Sequence, residues 1–106
     1  MLRIDPDPKF WTPVKVKLPG EEEQVFRARF RVLPFSRTEK VNTAAATEVR
    51  ALLEEALADT ADVIDEAGEA VAFGDKLRAV LLDWPHYRGA LLVAYVEGIA
   101  AARLGN

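Results

Sequence analysis

Two segments near the start of the chain alternate between apolar and polar residues. In residues 11–18 aliphatic side chains face one way and lysines the other, Val14, Val16 and Leu18 against Lys15 and Lys17. In residues 24–33 apolar side chains oppose arginines, Phe26, Ala28, Phe30 and Val32 against Arg27, Arg29 and Arg31. A period of two is typical of a strand with one buried face, and Pro19 and Gly20 interrupt it between the segments. The pattern predicts an antiparallel β-hairpin.

The period becomes helical in the middle of the chain. Ser36 and Glu39 have the spacing of a capping box, which predicts the start of a helix. Apolar residues then recur at intervals of three and four, Val49, Leu52, Leu53 and Ala56. We expect helix over residues 37–58, with an interruption at Asn42 and Thr43, which are poor helix formers.

The next stretch, residues 59–74, has no helical period. Acidic residues and Gly68 lie between two short apolar runs, residues 63–64 and 70–73, and predict a turn between two very short strands. The apolar spacing from Lys76 to Leu82 then predicts a short helix.

The last helix is expected to begin at Pro85, to continue to about Leu104 and to stop at Gly105. One side of it carries Tyr87, Leu91, Tyr95 and Ile99. The apolar surface spreads round the helix through Leu92, Val93 and Val96. A helix this apolar is either the central core helix, or it is core on one side and meets a partner chain on the other.

These elements predict a single α+β domain over residues 1–106. An isolated hairpin is marginal in water, so its apolar face needs the helices as cover. The chain divides into a hairpin region, residues 1–35, and a mainly helical region, residues 36–106. A chain of 106 residues has the size of one domain with one core.

One face of the predicted hairpin is strongly basic, with Lys15, Lys17, Arg27, Arg29 and Arg31. Such a face can be solvated, can pair with an acidic surface of another protein or another copy, or can bind nucleic acid. The net charge of −3 and the lack of interleaved aromatic residues on this face count against nucleic acid. A small nucleic-acid-binding regulator is therefore the alternative hypothesis.

Other candidate sites are weak. The only histidine, His86, follows Pro85 at a helix start, where a surface or capping role is the simpler interpretation. The acidic residues do not have the spacing of a calcium loop; they are Glu21, Glu22, Glu23, Asp59, Asp62, Asp65, Glu66 and Glu69. Trp11 and Trp84 stand at element ends, where they can pack at the core boundary or anchor an interface. We expect no catalytic residue, no cofactor and no metal site.

The amino-acid composition bears on the expected location of the protein in the cell. The chain contains no cysteine, which suits a reducing interior and makes the cytoplasm the expected location. The N-terminal residues lack the pattern of a secretory signal. The most apolar run, residues 91–96, is far shorter than the roughly 20 residues of a membrane span.

Several loose motifs follow one another along nearly the whole chain. These are a "KF" opening into a Pro-Gly hairpin, the "DEAGEAVAF" loop at residues 65–73, a Trp-Pro pair, "AYVEG" at residues 94–98 and a terminal Gly-Asn. In this order they are similar to the features of the small tail assembly chaperones of long-tailed bacteriophages and prophages.

The resemblance implies an α+β fold, self-association and binding to the tape measure protein while the major tail protein polymerises around it. It also implies that a frameshifted longer form recruits the major tail protein. The leading hypothesis is a non-enzymatic chaperone that forms homo-oligomers in the host cytoplasm. Its apolar contacts would come from the last helix through Tyr87, Leu91, Leu92, Tyr95, Val96 and Ile99, and the hairpin cations would steer docking.

Overall fold

The computed structural model describes residues 1–103. They form a three-stranded antiparallel sheet and helices, which confirms the predicted α+β class. In chain order the elements are β1 (Lys9–Val16), β2 (Gln24–Arg31), α1 (Phe35–Thr38), α2 (Ala46–Ala56), β3 (Leu57–Ala61), α3 (Asp75–Asp83) and α4 (Pro85–Arg103). The predicted helix residue Leu104 and the predicted stop at Gly105 lie outside the described residues.

The hairpin forms as the alternation predicts, except that Leu18 and Val32, expected on the buried face, lie beyond the ends of the strands and are exposed. β1 and β2 pair in antiparallel register from Lys9 opposite Arg31 to Val16 opposite Gln24. The apolar residues of both strands point to one face and are buried there, Val14, Val16, Phe26, Ala28 and Phe30. The basic residues lie on the opposite face, because successive side chains of a strand alternate between its two faces.

A third strand replaces the predicted end of the middle helix. The prediction of helix to residue 58 is wrong at this point, since α2 ends at Ala56 and the chain continues as β3, antiparallel to β2. The strand order is β1-β2-β3, with a bulge where Arg29 and Phe30 meet β3. Pairing with β2 satisfies backbone groups that would otherwise form a free edge, and Leu57 is fully buried beneath it.

The predicted capping box does not form. α1 has only four residues and begins after Pro34, whose fixed φ suits the extended N-cap position, so Ser36 falls inside the helix. The predicted interruption near residue 42 is confirmed. The Asn42 side chain accepts a hydrogen bond from the Ala44 N–H at 3.0 Å, a local turn that competes with helix.

The stretch after β3 is simpler than predicted. The two expected short strands reduce to one isolated bridge between Ile64 and Ala70. Asp65 holds the turn between them, because its side chain accepts hydrogen bonds from the N–H groups of Ala67 and Glu69 at 2.9 and 3.0 Å. The carboxylate therefore serves the loop's own backbone.

Helix α4 lies along β1 and α2 packs against β2 and β3, while α3 packs against α2 and α4. The predicted start of the last helix at Pro85 is confirmed. The rings of Phe10, Phe30 and Tyr95 cluster between sheet and helix, with centroids 5.3 to 6.1 Å apart. Gly98 faces this cluster, and the Phe10 ring occupies the space where a side chain at position 98 would begin.

Candidate functional site

The predicted basic face is the solvent side of the sheet, and two of its arginines are bound to carboxylates. Arg27 Nε lies 2.7 Å from Asp62 Oδ2. Arg31 Nε lies 3.6 Å from Asp7, which also pairs with Lys9 at 2.9 Å. These exposed pairs lower the net positive charge of the face, so its attraction to a polyanion is smaller than the sequence suggests.

The ion pairs shift proton affinities in the expected directions. The pKa of Asp7 lies below its ordinary value, chiefly because the Lys9 side chain hydrogen-bonds to its carboxylate and further because Arg31 and Arg29 add positive charge. The pKa of Arg27 is raised above its ordinary value, first by its hydrogen bond to Asp62 and then by that residue's charge. Both groups are charged throughout the neutral range.

The remaining cations differ in their surroundings. Lys15 and Lys17 are exposed and make no ion pair with another described residue. Arg29 is half-buried opposite Asp59 of β3, and its Nε has no hydrogen-bond partner among residues 1–103. The half-exposed Trp11 ring lies on this face opposite Arg29, with its centroid 5.5 Å from the Arg27 guanidinium, so the expectation that the face carries no aromatic residue is wrong.

The residues of the last helix that were predicted to bind a partner fall into two groups. Leu91 is 0% exposed and Tyr95 is buried, so both belong to the core. The Tyr95 hydroxyl also accepts a hydrogen bond from the Leu33 N–H at 3.0 Å. Because the Leu91 side chain cannot reach a partner without local unfolding, its assignment to a docking surface is corrected, whereas the small accessible part of Tyr95 lines the groove described next.

The accessible part of α4 lies on its other side. Val93 and Val96 are each 55% exposed, whereas Leu92, Ile99 and Tyr87 are half-buried against the core. Val96 and Ile99 also line an open groove of about 260 Å³ between α4 and the chain around α1. We call it the helix groove; its lining residues are Val32, Leu33, Thr38, Tyr95, Val96, Ile99 and Ala100.

A larger groove, which the sequence did not predict, opens at the end of the sheet beside α3. Its volume is about 410 Å³, within the range of ligand-sized pockets, and it is mostly apolar. We call it the sheet-edge groove; its lining residues are Val16, Gln24, Val25, Phe26, Asp62, Val63, Ile64, Val71, Leu77, Val80, Leu81 and Tyr87. These residues come from β1, β2, the loop after β3, α3 and α4, so no local pattern reveals their proximity.

His86, the histidine that the sequence offered as a candidate, lies among aromatic rings. His86 packs against Tyr87 with ring centroids 4.1 Å apart and lies 6.2 Å from the Trp84 ring. Within residues 1–103, no three His, Cys, Asp or Glu side chains lie close enough to hold a metal ion. Trp84 is exposed at the junction of α3 and α4.

Comparison with family models, with curated proteins and with solved structures finds no match to this chain. None of the helices described here is long and apolar enough to cross a membrane. The surfaces that the described residues form are two apolar grooves, an exposed apolar strip on α4 and a partly neutralised basic sheet face.

Proposed function

We propose that this chain is a non-enzymatic tail assembly chaperone that self-associates and binds the tape measure protein in the host cytoplasm. The observation that carries the proposal is the exposed apolar side of α4. Val93 and Val96 project from a helix whose opposite side is core, and Val96 continues into the helix groove. An apolar groove beside a helix is a common docking site for an amphipathic helix.

A second observation extends this apolar surface. Phe35, in the first position of α1, is 76% exposed, and in the chain it stands between Leu33 and Thr38, which both line the helix groove. A large aromatic side chain at the edge of an apolar groove supplies contact area at low cost in conformational entropy. A tape measure helix is amphipathic and exposed before the tube encloses it, so it needs such a cover.

The basic sheet face has a separate role in the proposal. Lys15 and Lys17 are free of ion pairs with described residues, and half-buried Arg29 lacks a partner for its Nε. Cations of this kind steer an acidic partner and set its orientation more than they add affinity. A frameshifted longer form of the chain would recruit the major tail protein.

The experiment compares Val93→Asp/Val96→Asp with the wild type by size-exclusion chromatography with light scattering and by pull-down of tape measure fragments. Both valines are exposed, so the double variant is expected to keep its fold while losing self-association and binding. Ala79→Asp, an exposed position of α3, is the matched control for an added charge on a helix. Unchanged association and binding in the double variant would contradict the proposal.

A further inference from the structure

The sheet-edge groove exposes unpaired backbone at the N-terminal end of β2. β2 begins at Gln24, but its pairing with β3 begins only at Arg27, opposite Ala61. The next residue of the chain, Asp62, has φ of 65°, a left-handed conformation that turns the chain out of the sheet. The Asp62 carboxylate pairs with Arg27 on β2. The first residues of β2 therefore have a neighbouring strand on one side only.

The register identifies which backbone groups face the gap. The Val32 N–H donates to the Pro8 carbonyl at 2.9 Å, which makes that pair a hydrogen-bonded one. Bonded and non-bonded pairs alternate along an antiparallel ladder, so even-numbered residues of β2 bond to β1 and odd-numbered residues face β3. Val25 consequently points its N–H and C=O into the sheet-edge groove, where no described residue pairs with them as a strand.

The other two sheet edges are blocked. On the free edge of β1, Pro13 stands at a position whose N–H would point outward, and a proline there removes the donor. On β3, the Asp59 side chain accepts the Thr60 N–H at 2.8 Å and Arg78 donates to the Leu57 carbonyl at 3.3 Å. The Val25 edge carries no such protection, although exposed strand edges are usually protected.

The segments that flank the groove are acidic. The turn before Gln24 and the loop after Ile64 contribute Glu21, Glu22, Glu23, Asp65, Glu66 and Glu69. The basic residues adjacent in sequence to the lining are Lys15, Lys17, Arg27, Lys76, Arg78 and Arg88, and Arg78 pairs with Asp75 at 3.1 Å. Arg27 is bonded to Asp62, and Arg88 donates to the carbonyls of Leu82 and Asp83. The surroundings therefore favour a basic occupant.

We propose that the sheet-edge groove binds an extended basic segment of another protein, which continues the position of β3 and pairs with Val25. Its alternate apolar side chains enter the groove against α3, and lysines or arginines between them lie on the Val25 side of the sheet, beside the acidic turn at residues 21–23. This is strand addition, in which backbone hydrogen bonds give affinity and side-chain pockets give specificity. The interaction is separate from the proposed contacts of α4.

The test uses the full chain and a labelled nonapeptide that alternates lysine and valine, with binding followed by fluorescence anisotropy. Val25→Pro removes the N–H that faces the groove and disturbs no ladder bond, whereas Val25→Ala keeps the backbone donor. The proline variant is expected to bind about ten-fold more weakly or worse, the alanine variant close to the wild type. Replacing Glu21, Glu22 and Glu23 by glutamine should also weaken binding.

A second measurement does not depend on how the proline variant folds. Residues opposite each other in an antiparallel pair share a face, and Val25 shares the solvent face of the sheet with Lys15. The peptide residue opposite Val25 is therefore a lysine on the solvent face, and the valines on either side of it enter the groove. N-methylation of the lysines removes the N–H groups that face β2 and should abolish binding. N-methylation of the valines removes N–H groups that point away from β2 and should leave binding unchanged.

Four results would overturn the proposal. The first is absence of peptide binding to the wild type, and the second is equal binding of peptides N-methylated on lysine and on valine. The third is unchanged affinity in a folded Val25→Pro variant. The fourth is loss of self-association in that variant without any peptide binding, because the occupant would then be a second copy.

Discussion

Gly98 gives the sharpest test of how α4 packs on β1. A Cβ at this position would overlap the Phe10 ring, whose Cζ and Cδ2 atoms would lie 3.1 and 3.2 Å from it. Phe10 cannot move freely, because its ring packs against those of Phe30 and Tyr95. We therefore expect Gly98→Ala to suffer an overpacking penalty of about 1–3 kcal/mol.

Gly89 on the same helix is the matched control. A Cβ there has no neighbour within 4 Å, so Gly89→Ala should gain only the helix preference of alanine, about 1 kcal/mol. Gly98→Ala gains the same preference, and this shared contribution cancels when the two variants are compared. Gly89→Ala should therefore be more stable than Gly98→Ala by about 1–3 kcal/mol.

The assay is urea unfolding at equilibrium, followed by far-UV circular dichroism, with the slope of each transition checked for constancy. The Phe10→Ala background supplies the decisive comparison. Without the ring there is no clash, so Gly98→Ala should become as favourable there as Gly89→Ala. Equal stabilisation by both substitutions in the wild-type background would refute the close packing of β1 on α4.

Three further predictions concern single residues. In urea unfolding, Asp62→Gly should be more stable than Asp62→Ala by about 1 kcal/mol, because a φ of 65° suits glycine. Both variants lose the ion pair with Arg27, so that loss cancels in the comparison. The opposite order of stability would contradict the left-handed turn. Tyr95→Phe should cost about 1 kcal/mol by leaving the Leu33 N–H without its acceptor, and an unchanged urea midpoint would count against that bond. Because the pKa of Asp7 is lowered in the folded state, its ionised carboxylate stabilises the fold at pH values above its ordinary pKa of 3.8, and this stabilisation is lost as the pH falls through the folded-state pKa. The stability difference between wild type and Asp7→Asn should therefore vanish in acid. A difference that persists in acid would contradict this account.

The hairpin was predictable from sequence because its burial is a local alternation. Each inward residue from Val14 to Phe30 occupies the face that its parity assigns. The start of α4 was predictable for a similar reason, since Pro85 both ends one helix and fits the first turn of the next. Signals of this kind need no knowledge of distant parts of the chain.

β3 could not be predicted in the same way. Its sequence, Leu-Ala-Asp-Thr-Ala, has neither β-branched repetition nor clean alternation, and it continues the helical spacing of α2. Its conformation depends on pairing with β2, a contact between residues about 30 positions apart, and strand preference depends strongly on such context.

The candidate surfaces were only partly visible in the sequence. The excess of apolar residues on α4 was apparent, but the sequence could not show that the sheet takes Leu91 and Tyr95 while Val93 and Val96 face outward. The basic face was apparent too, but its neutralisation by Asp62 comes from the turn after β3.

The most direct test of the proposed function is protection of a tape measure fragment from aggregation. Turbidity of the purified fragment would be followed with wild type, with Val93→Asp/Val96→Asp or with the Ala79→Asp control. The proposal predicts that wild type and control keep the fragment soluble and that the double variant does not. Equal protection by all three proteins, or protection by none of them, would contradict the claim that the exposed side of α4 binds the tape measure protein.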